Sequence, residues 1–408
     1  MKILLVDIVY GHSSTGKLMM DIKTGLENKG HNVIVAYGRD DSNETVNVQN
    51  SIIKVANKTE VFIHAAMTRL TGLTGFFSPL ATIKLQKLID QFKPDIVHLH
   101  EIHGYFVNIY AITNYLKEKK IPTLWTFHSE FMYTGNCGHS YDCEQWLTEC
   151  VKCPQLHAYP QSWFFDFTNL MFHKKKVLFE NFDLLRITTV SEWLKKRVKN
   201  SFLSEKRVDV VYNGIDTDNI FYPRDSAKLK DKLGIKSKFI IISVGPDLMS
   251  EAKGGKWILE VAKKLSNMDI TFVMIGVDNP EEIVRENVVA LPKISDQDEL
   301  AHYYSLGNLF LLTSHKETFS LVCVESLACG TPVVGFEAGA PSEIVPKEYG
   351  DFVTYGDVDL LSSTLIHYLN NPSLLSSSQE CYAYANSNFG KNIMVQNYEN
   401  IYFEMIAQ

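Results

Sequence analysis

The chain alternates short apolar runs with stretches of helical period, and it does so in two separate series. The first passes through Lys2 to Val9, a loop and a helix to about Lys29, then Asn32 to Ala36, Asp95 to Leu99 and Thr123 to Phe127. The second begins near Phe239 with FIIISVG and continues through ITFVMIG, NVVALP, LFLLTS and PVVGF. Alternation of this kind calls for parallel strands joined by crossover helices, so each series predicts an α/β domain built on a doubly wound parallel sheet covered on both faces. At 408 residues the chain also exceeds one ordinary core and suits two domains. The turn-rich, charged passage VVYNGIDTDNIFYPRDSAKLKDKLGI, with Asn213, Gly214 and Pro223, reads as a linker. These features predict a Rossmann-like domain over 1–213, a second over 214–391, and a final helix over 392–408 that returns to the first. Ligands of open parallel sheets bind beyond the carboxyl ends of the strands, so two such sheets facing one another would enclose a cleft.

Composition narrows the function classes. Net charge is −7, with 45% hydrophobic and 21% charged residues. This is an ordinary soluble balance without the basic footprint of a nucleic-acid binder. The opening MKILLVDIVYG lacks a separate charged region and a small-residue cleavage site, and no unbroken apolar stretch reaches bilayer length, so the expected location is the cytoplasm. Peripheral contact with the inner face of the plasma membrane is suggested by QSWFFDFTNLMFHKKKVLFENF and WLKKRVKNSF, where aromatics adjoin Lys174, Lys175 and Lys176. An internal helix with a basic end fits those residues equally well. Four cysteines, Cys137, Cys143, Cys150 and Cys153, fall in the turn-rich insert CGHSYDCEQWLTECVKCP. In a reducing compartment they suit a closed, structural tetrahedral zinc site, with packed or free thiols as an equal alternative because the first pair is spaced by five residues. Cys323 and Cys329 read as small core residues.

The loops after the strands hold the chemistry. Glu317 and Glu325 are separated by seven residues in HKETFSLVCVESLACGTPVVGF. The run Leu309 to Leu312 reads as a buried strand, and about Ser320 to Cys329 as a helix closed by Gly330 and Pro332. Glu317 then lies on a strand-to-helix loop, and the main-chain N–H groups of Phe319, Ser320 and Leu321 lie at a helix start that favours phosphate. The Glu325 side chain leans back toward the same end. Two acids beside a helix are ordinarily solvated surface charge; their setting argues for a nucleoside diphosphate sugar, with one carboxylate on sugar hydroxyls and the other on ribose. Lys253 and Gly254 precede another helix, where a lysine could neutralise a departing diphosphate. The run from Gly11 to Leu18 approaches a phosphate-binding loop, but Leu18 stands where a magnesium-binding Ser or Thr is required, leaving a glycine-containing loop around Gly16 whose main chain could approach a ligand. His98, His100 and His103 cluster in IVHLHEIHG, and His128 directly follows an apolar strand.

In this order, SSTGKL, DIVHLHEIHGY, TLWTFHSEFMYTGNC, the four-cysteine insert, TTVSEWL, VYNGID, AKGG and the Glu-x7-Glu element with LACGTPVV resemble the retaining GT-B glycosyltransferases of family GT4, of the bacterial capsular and exopolysaccharide type. The resemblance covers nearly the whole chain. It implies donor binding mainly by the second domain, through Gly254, Phe319, Ser320, Leu321 and Glu325, with Gly16 approaching the same ligand and Lys293 and Ile294 beside the base. Catalytic roles would fall to His128 near the transferred sugar, Lys253 on the leaving phosphate and Glu317 on the donor sugar. His100, His103 and Tyr105 would lie on the acceptor side. It further implies front-face attack with no protein nucleophile, no cofactor or metal at the reaction centre, a UDP- or GDP-linked sugar donor, and a glycan or lipid-linked saccharide acceptor. Two positions depart from the family pattern: Ser129 stands where an acid often follows the histidine, with Glu130 one later, and Pro246 stands where arginine is common. A weakly active or inactive sugar-nucleotide binding subunit is the alternative, and an NTPase or an epimerase on the same fold ranks behind both.

Overall fold

The computed structural model describes residues 1–39 and 51–407. The chain divides into two compact units, Met1–Tyr212 with Met394–Gln408, and Asn213–Ile393. Gln408, the end of the expected final helix, lies outside the described residues.

The first unit contains β1 (Lys2–Asp7), β2 (Asn32–Tyr37), β3 (Ile52–Lys54), β4 (Ile96–Leu99), β5 (Thr123–Phe127), β6 (Leu185–Thr189) and β7 (Val208–Val210), in the order β3-β2-β1-β4-β5-β6-β7. All neighbours pair in parallel. Helices cover both faces of such a sheet, which is why β4 and β5 are buried at every residue, His98, Thr123 and Thr126 included. The strand order reverses between β1 and β4.

The second unit repeats the plan with β8 (Phe239–Val244), β9 (Ile270–Ile275), β10 (Val288–Leu291), β11 (Leu309–Leu312), β12 (Val333–Phe336) and β13 (Gly350–Val353), in the order β10-β9-β8-β11-β12-β13. Its core packs Phe272, Leu311 and Val334 against Ile258, Val261, Leu361 and Leu365. Ile258, Val261 and Ala262 recur at helical spacing on Gly255–Lys264, so that helix has one apolar face to bury. Here the order reverses between β8 and β11.

The last helix, Lys391–Ile406, completes the first unit. Tyr398 and Tyr402, one turn apart, are fully buried. The Tyr402 hydroxyl lies 2.7 Å from His98 Nδ1, and the Thr126 hydroxyl donates to that of Tyr398 at 3.3 Å.

Two local expectations change. The stretch around Gly16 is helix, because Ser13–Asn28 begins at Ser13 and Gly16 falls in its first turn. A Cβ at Gly16 would stand 3.1 Å from Val9 Cγ2, so glycine there permits close packing of the helix start on the preceding turn. The lysine triplet is not one solvated basic face. It lies on the helix Thr168–Phe179, where Lys174 and Lys176 are exposed but Lys175 is buried and donates to main-chain carbonyls. Among the described residues, no helix is long and apolar enough to cross a membrane.

Candidate active site

Open parallel sheets bind ligands where the strand order reverses, because the loops leaving the two central strands diverge there. In the second unit those loops follow β8 and β11, and they carry Lys253 and Glu317. The loop after β8 is bound to its neighbour at three points. The Thr313 hydroxyl donates to the Lys253 carbonyl at 2.9 Å, the His315 N–H donates to the Ala252 carbonyl at 2.9 Å, and Gly254 lies against Thr313. Gly254 has φ +71°, and a Cβ on it would come within 2.4 Å of the Thr313 carbonyl oxygen, so only glycine fits. Glu317 is held from the other side: its N–H donates to Ala338 and its carbonyl accepts from Ala340. This scaffolding brings Lys253 Nζ to 2.7 Å from Glu317 Oε1, with the side chains 30% and 15% exposed. A cation and a carboxylate thus face each other across the reversal point.

The helix expected over 320–329 spans Leu321–Ala328. Ser320 precedes it in the left-handed region (φ 88°, ψ 82°), a conformation that costs a non-glycine residue energy and turns the chain sharply into the first helical turn. Phe319 is buried edge-on against Phe389. First-turn amides have no intrahelical acceptor, so the helix start offers donors and the positive end of a dipole within the Glu317 loop. Glu325 is buried on this helix and accepts a 2.7 Å bond from the hydroxyl of Tyr304, itself fully buried. Burial, and then the Glu325 charge, raise the Tyr304 phenol well above its ordinary range, so it acts only as a donor. Lys293 is exposed and Ile294 half-buried, beyond the end of β10.

The first unit has a second polar cluster at its own reversal point, where the loops after β1 and β4 meet. The Glu101 N–H donates to Asp7 Oδ1 at 3.1 Å. Glu101 also accepts from the Ser129 hydroxyl at 3.1 and 3.2 Å and from the His128 N–H at 3.3 Å, and it pairs with His103 Nδ1 at 2.9 Å. His100 Nδ1 lies 2.9 Å from His128 Nε2, with the rings stacked. His103 stacks on Phe131, and buried Tyr105 (φ 68°) lies edge-on to Tyr159. Burial holds His98, His100 and His128 below the usual imidazole range, so the stack is neutral. The two acids diverge. Burial raises Asp7 to about 8. It also raises Glu101, but His103 and the Ser129 hydrogen bond outweigh it and bring that carboxyl to about 2. One is therefore a neutral acid and the other a carboxylate at neutral pH.

Glu101, Asp7 and Tyr304 escaped the sequence reading. Glu101 stands inside the HLHEIHG run, where the histidines drew the attention; Tyr304 carries no motif. Glu130, the acid nearest the departure at Ser129, serves a buried network instead, accepting from Arg197 Nε at 2.6 Å and from the Tyr133 hydroxyl at 2.7 Å. The carboxylate beside Ser129 belongs to Glu101.

Comparison with known proteins agrees with this architecture. Residues 15–219 match the family described as Glycosyltransferase Family 4, and residues 225–387 match Glycosyl transferases group 1. Over 337 residues, 80% of each chain, the protein is 24% identical to a protein of Escherichia coli (strain K12) provisionally named as the colanic acid biosynthesis glycosyl transferase WcaC. It is 25% identical over 352 residues, 83% of this chain and 88% of the other, to an uncharacterized 41.2 kDa protein in the cps region of Klebsiella pneumoniae. The fold matches that of Anabaena HepE in complex with UDP at a TM-score of 0.70 and 17% identity, covering 99% of this chain and 100% of that one. With two Rossmann-like domains of the GT-B class and family matches that run through both of them, the chain belongs to Glycosyltransferase Family 4.

Proposed function

We propose that the protein transfers a sugar, with retention of anomeric configuration, from a UDP- or GDP-linked donor to a glycan or lipid-linked saccharide in surface polysaccharide biosynthesis. The observation that carries this reading is the Lys253–Glu317 pair at the β8/β11 reversal point, beside the start of Leu321–Ala328. Lys253 and the amides of Phe319, Ser320 and Leu321 would hold the diphosphate, Glu317 the sugar hydroxyls, and Glu325, oriented by Tyr304, the ribose. Gly254 keeps the main chain close to the phosphates, Lys293 and Ile294 flank the base, and Gly16 lets the first helix start approach the ligand. On the acceptor side, His128 would contact the transferred sugar, with His100, His103 and Tyr105 around the incoming saccharide. The names of the relatives in colanic acid and cps loci support the pathway. Because the leaving phosphate can itself take the proton of the attacking hydroxyl, the reaction requires no metal and no glycosidase-type pair of carboxyl groups. Binding at the inner face of the plasma membrane would bring a lipid-linked acceptor within reach.

A catalytically silent sugar-nucleotide binding subunit is the second reading, favoured by Ser129 and Pro246. A thermal-shift panel of UDP, GDP and their sugars identifies the donor, since the bound ligand raises Tm by mass action. Transfer or donor hydrolysis in the wild type that disappears in Glu317→Ala supports the transferase. Stabilisation by a sugar nucleotide without any turnover selects the binding subunit.

A further inference from the structure

Away from both reversal points, the densest group of reactive side chains lies in the insert after β5. Cys137, Cys143, Cys150 and Cys153 all line one cavity of about 10 Å³, along with Gly135, Trp146 and Thr168. None of the four is in a disulfide. Cys137 and Cys153 are in hydrogen-bond contact, and Cys143 and Cys150 lie within electrostatic reach of Cys137. Cys150 Sγ accepts the Gly135 N–H at 3.2 Å. A void of that size admits roughly one water-sized particle, too little for an organic ligand and enough for an ion. Among the described residues, no three His, Cys, Asp or Glu side chains already stand as a metal-holding group. Binding must therefore draw the thiols inward within the cavity they share.

Lys175 gives an independent reason to expect negative charge there. Its ammonium is buried, lies 3.4 Å from the centroid of the Phe131 ring, and donates to the carbonyls of Phe131, Thr134 and Gly135. Among the described residues no carboxylate pairs with it, and the thiols of Cys150 and Cys137 lie within its electrostatic reach. A buried ammonium without a counter-ion is costly, and burial accordingly draws the Lys175 amino group down to about 7. Four thiolates around a divalent ion carry a net negative charge, which would supply the missing partner.

We propose that the insert is a structural zinc site in which Cys137, Cys143, Cys150 and Cys153 provide all four ligands and Lys175 the adjacent positive charge. Four sulfur donors select a soft ion of tetrahedral preference, and a full set of protein ligands leaves no position for catalytic water. Each thiol gives up its proton to solvent as its sulfur binds, so metal uptake releases protons. The insert also supports the loop after β5, because the Gly138 carbonyl accepts from the Glu130 N–H and Glu130 accepts from the Ser140 N–H, two residues past His128. The proposal is independent of the sugar-transfer reading.

The test uses the full chain, purified under reducing conditions without chelator. Elemental analysis should find about one zinc per chain, and titration of the thiols with a mercurial should release it. Cobalt exchange should give thiolate-to-metal charge-transfer absorption and the intense visible bands of a tetrahedral centre. Cys150→Ser and Cys153→Ser should lose the metal, and Lys175→Met should weaken its retention by roughly tenfold. Because a serine variant can fail to fold, the wild-type cobalt spectrum decides by itself. A folded, fully reduced chain that takes up neither zinc nor cobalt overturns the site, as does a native disulfide among these four cysteines.

Discussion

Replacing Glu317 with glutamine should separate nucleotide binding from sugar transfer. In the unliganded chain the Glu317 carboxylate neutralises Lys253 at 2.7 Å. At an effective dielectric of about 20, unit charges at that distance attract by at most about 6 kcal/mol. Both side chains retain some water, and measured pairs of this kind contribute about 1 kcal/mol net. Glu317→Gln keeps the shape and removes the charge, so a diphosphate no longer competes with that carboxylate for Lys253. Affinity for the free nucleoside diphosphate should rise by up to about fivefold, the equivalent of that 1 kcal/mol. Transfer should move the other way, because a carboxylate accepting from sugar hydroxyls contributes about 1.5–3 kcal/mol, which corresponds to a loss of roughly 10- to 150-fold in kcat/KM. Isothermal titration with UDP and GDP, paired with a transfer assay, reads both quantities. If Glu317→Gln binds the nucleoside diphosphate more than tenfold weaker while its circular dichroism is unchanged, the role assigned to the pair is wrong.

Tyr304→Phe removes a hydroxyl hydrogen-bonded to the buried Glu325 carboxylate, and chemical denaturation should show a loss of about 1.5–3 kcal/mol; no change would mean that Glu325 does not depend on it. Arg197→Leu leaves Glu130, fully buried, without its cation. The expected cost of about 3–5 kcal/mol should lower Tm by roughly 10 °C, and Glu130→Gln in the same chain should recover part of it. Asp7 has a folded-state pKa of about 8, above its unfolded value of 3.8, so its protonated form is favoured by folding. That contribution is complete below pH 3.8 and is lost as pH rises toward 8, so the Tm of Asp7→Asn relative to wild type should climb across this window and then level off; a flat difference would show that Asp7 is ionised when folded.

The sheets were legible because a strand covered on both faces is apolar almost throughout, and Leu309 to Leu312 leaves little room for another reading; His98 is the buried polar exception in Ile96 to Leu99. The reversal points followed from the loops after those strands, so Lys253, Glu317 and His128 could be named from sequence. Contacts between side chains far apart in sequence could not. Tyr304 reaches Glu325 from the preceding crossover helix, and nothing at either position encodes the meeting. Glu101 is one acid among many until folding buries it against His103 and Ser129. Gly16 looked like a loop residue because glycine marks both turns and close helix packing, and only the neighbouring Val9 distinguishes them. The helix after Glu317 starts at a left-handed serine, a backbone state that serine's composition statistics do not announce.

The final helix also sets an order of events during synthesis. The second unit is one continuous stretch, Asn213–Ile393, and can fold as soon as it clears the ribosome. The first unit begins the chain, yet His98 and Thr126 at the centre of its sheet wait for Tyr402 and Tyr398. Until the final helix emerges, His98 and Thr126 hold only each other and Thr188, their tyrosine partners are missing, and an apolar face has no cover. The part made first is therefore finished last, and a nascent chain stalled before Met394 would present that face to chaperones.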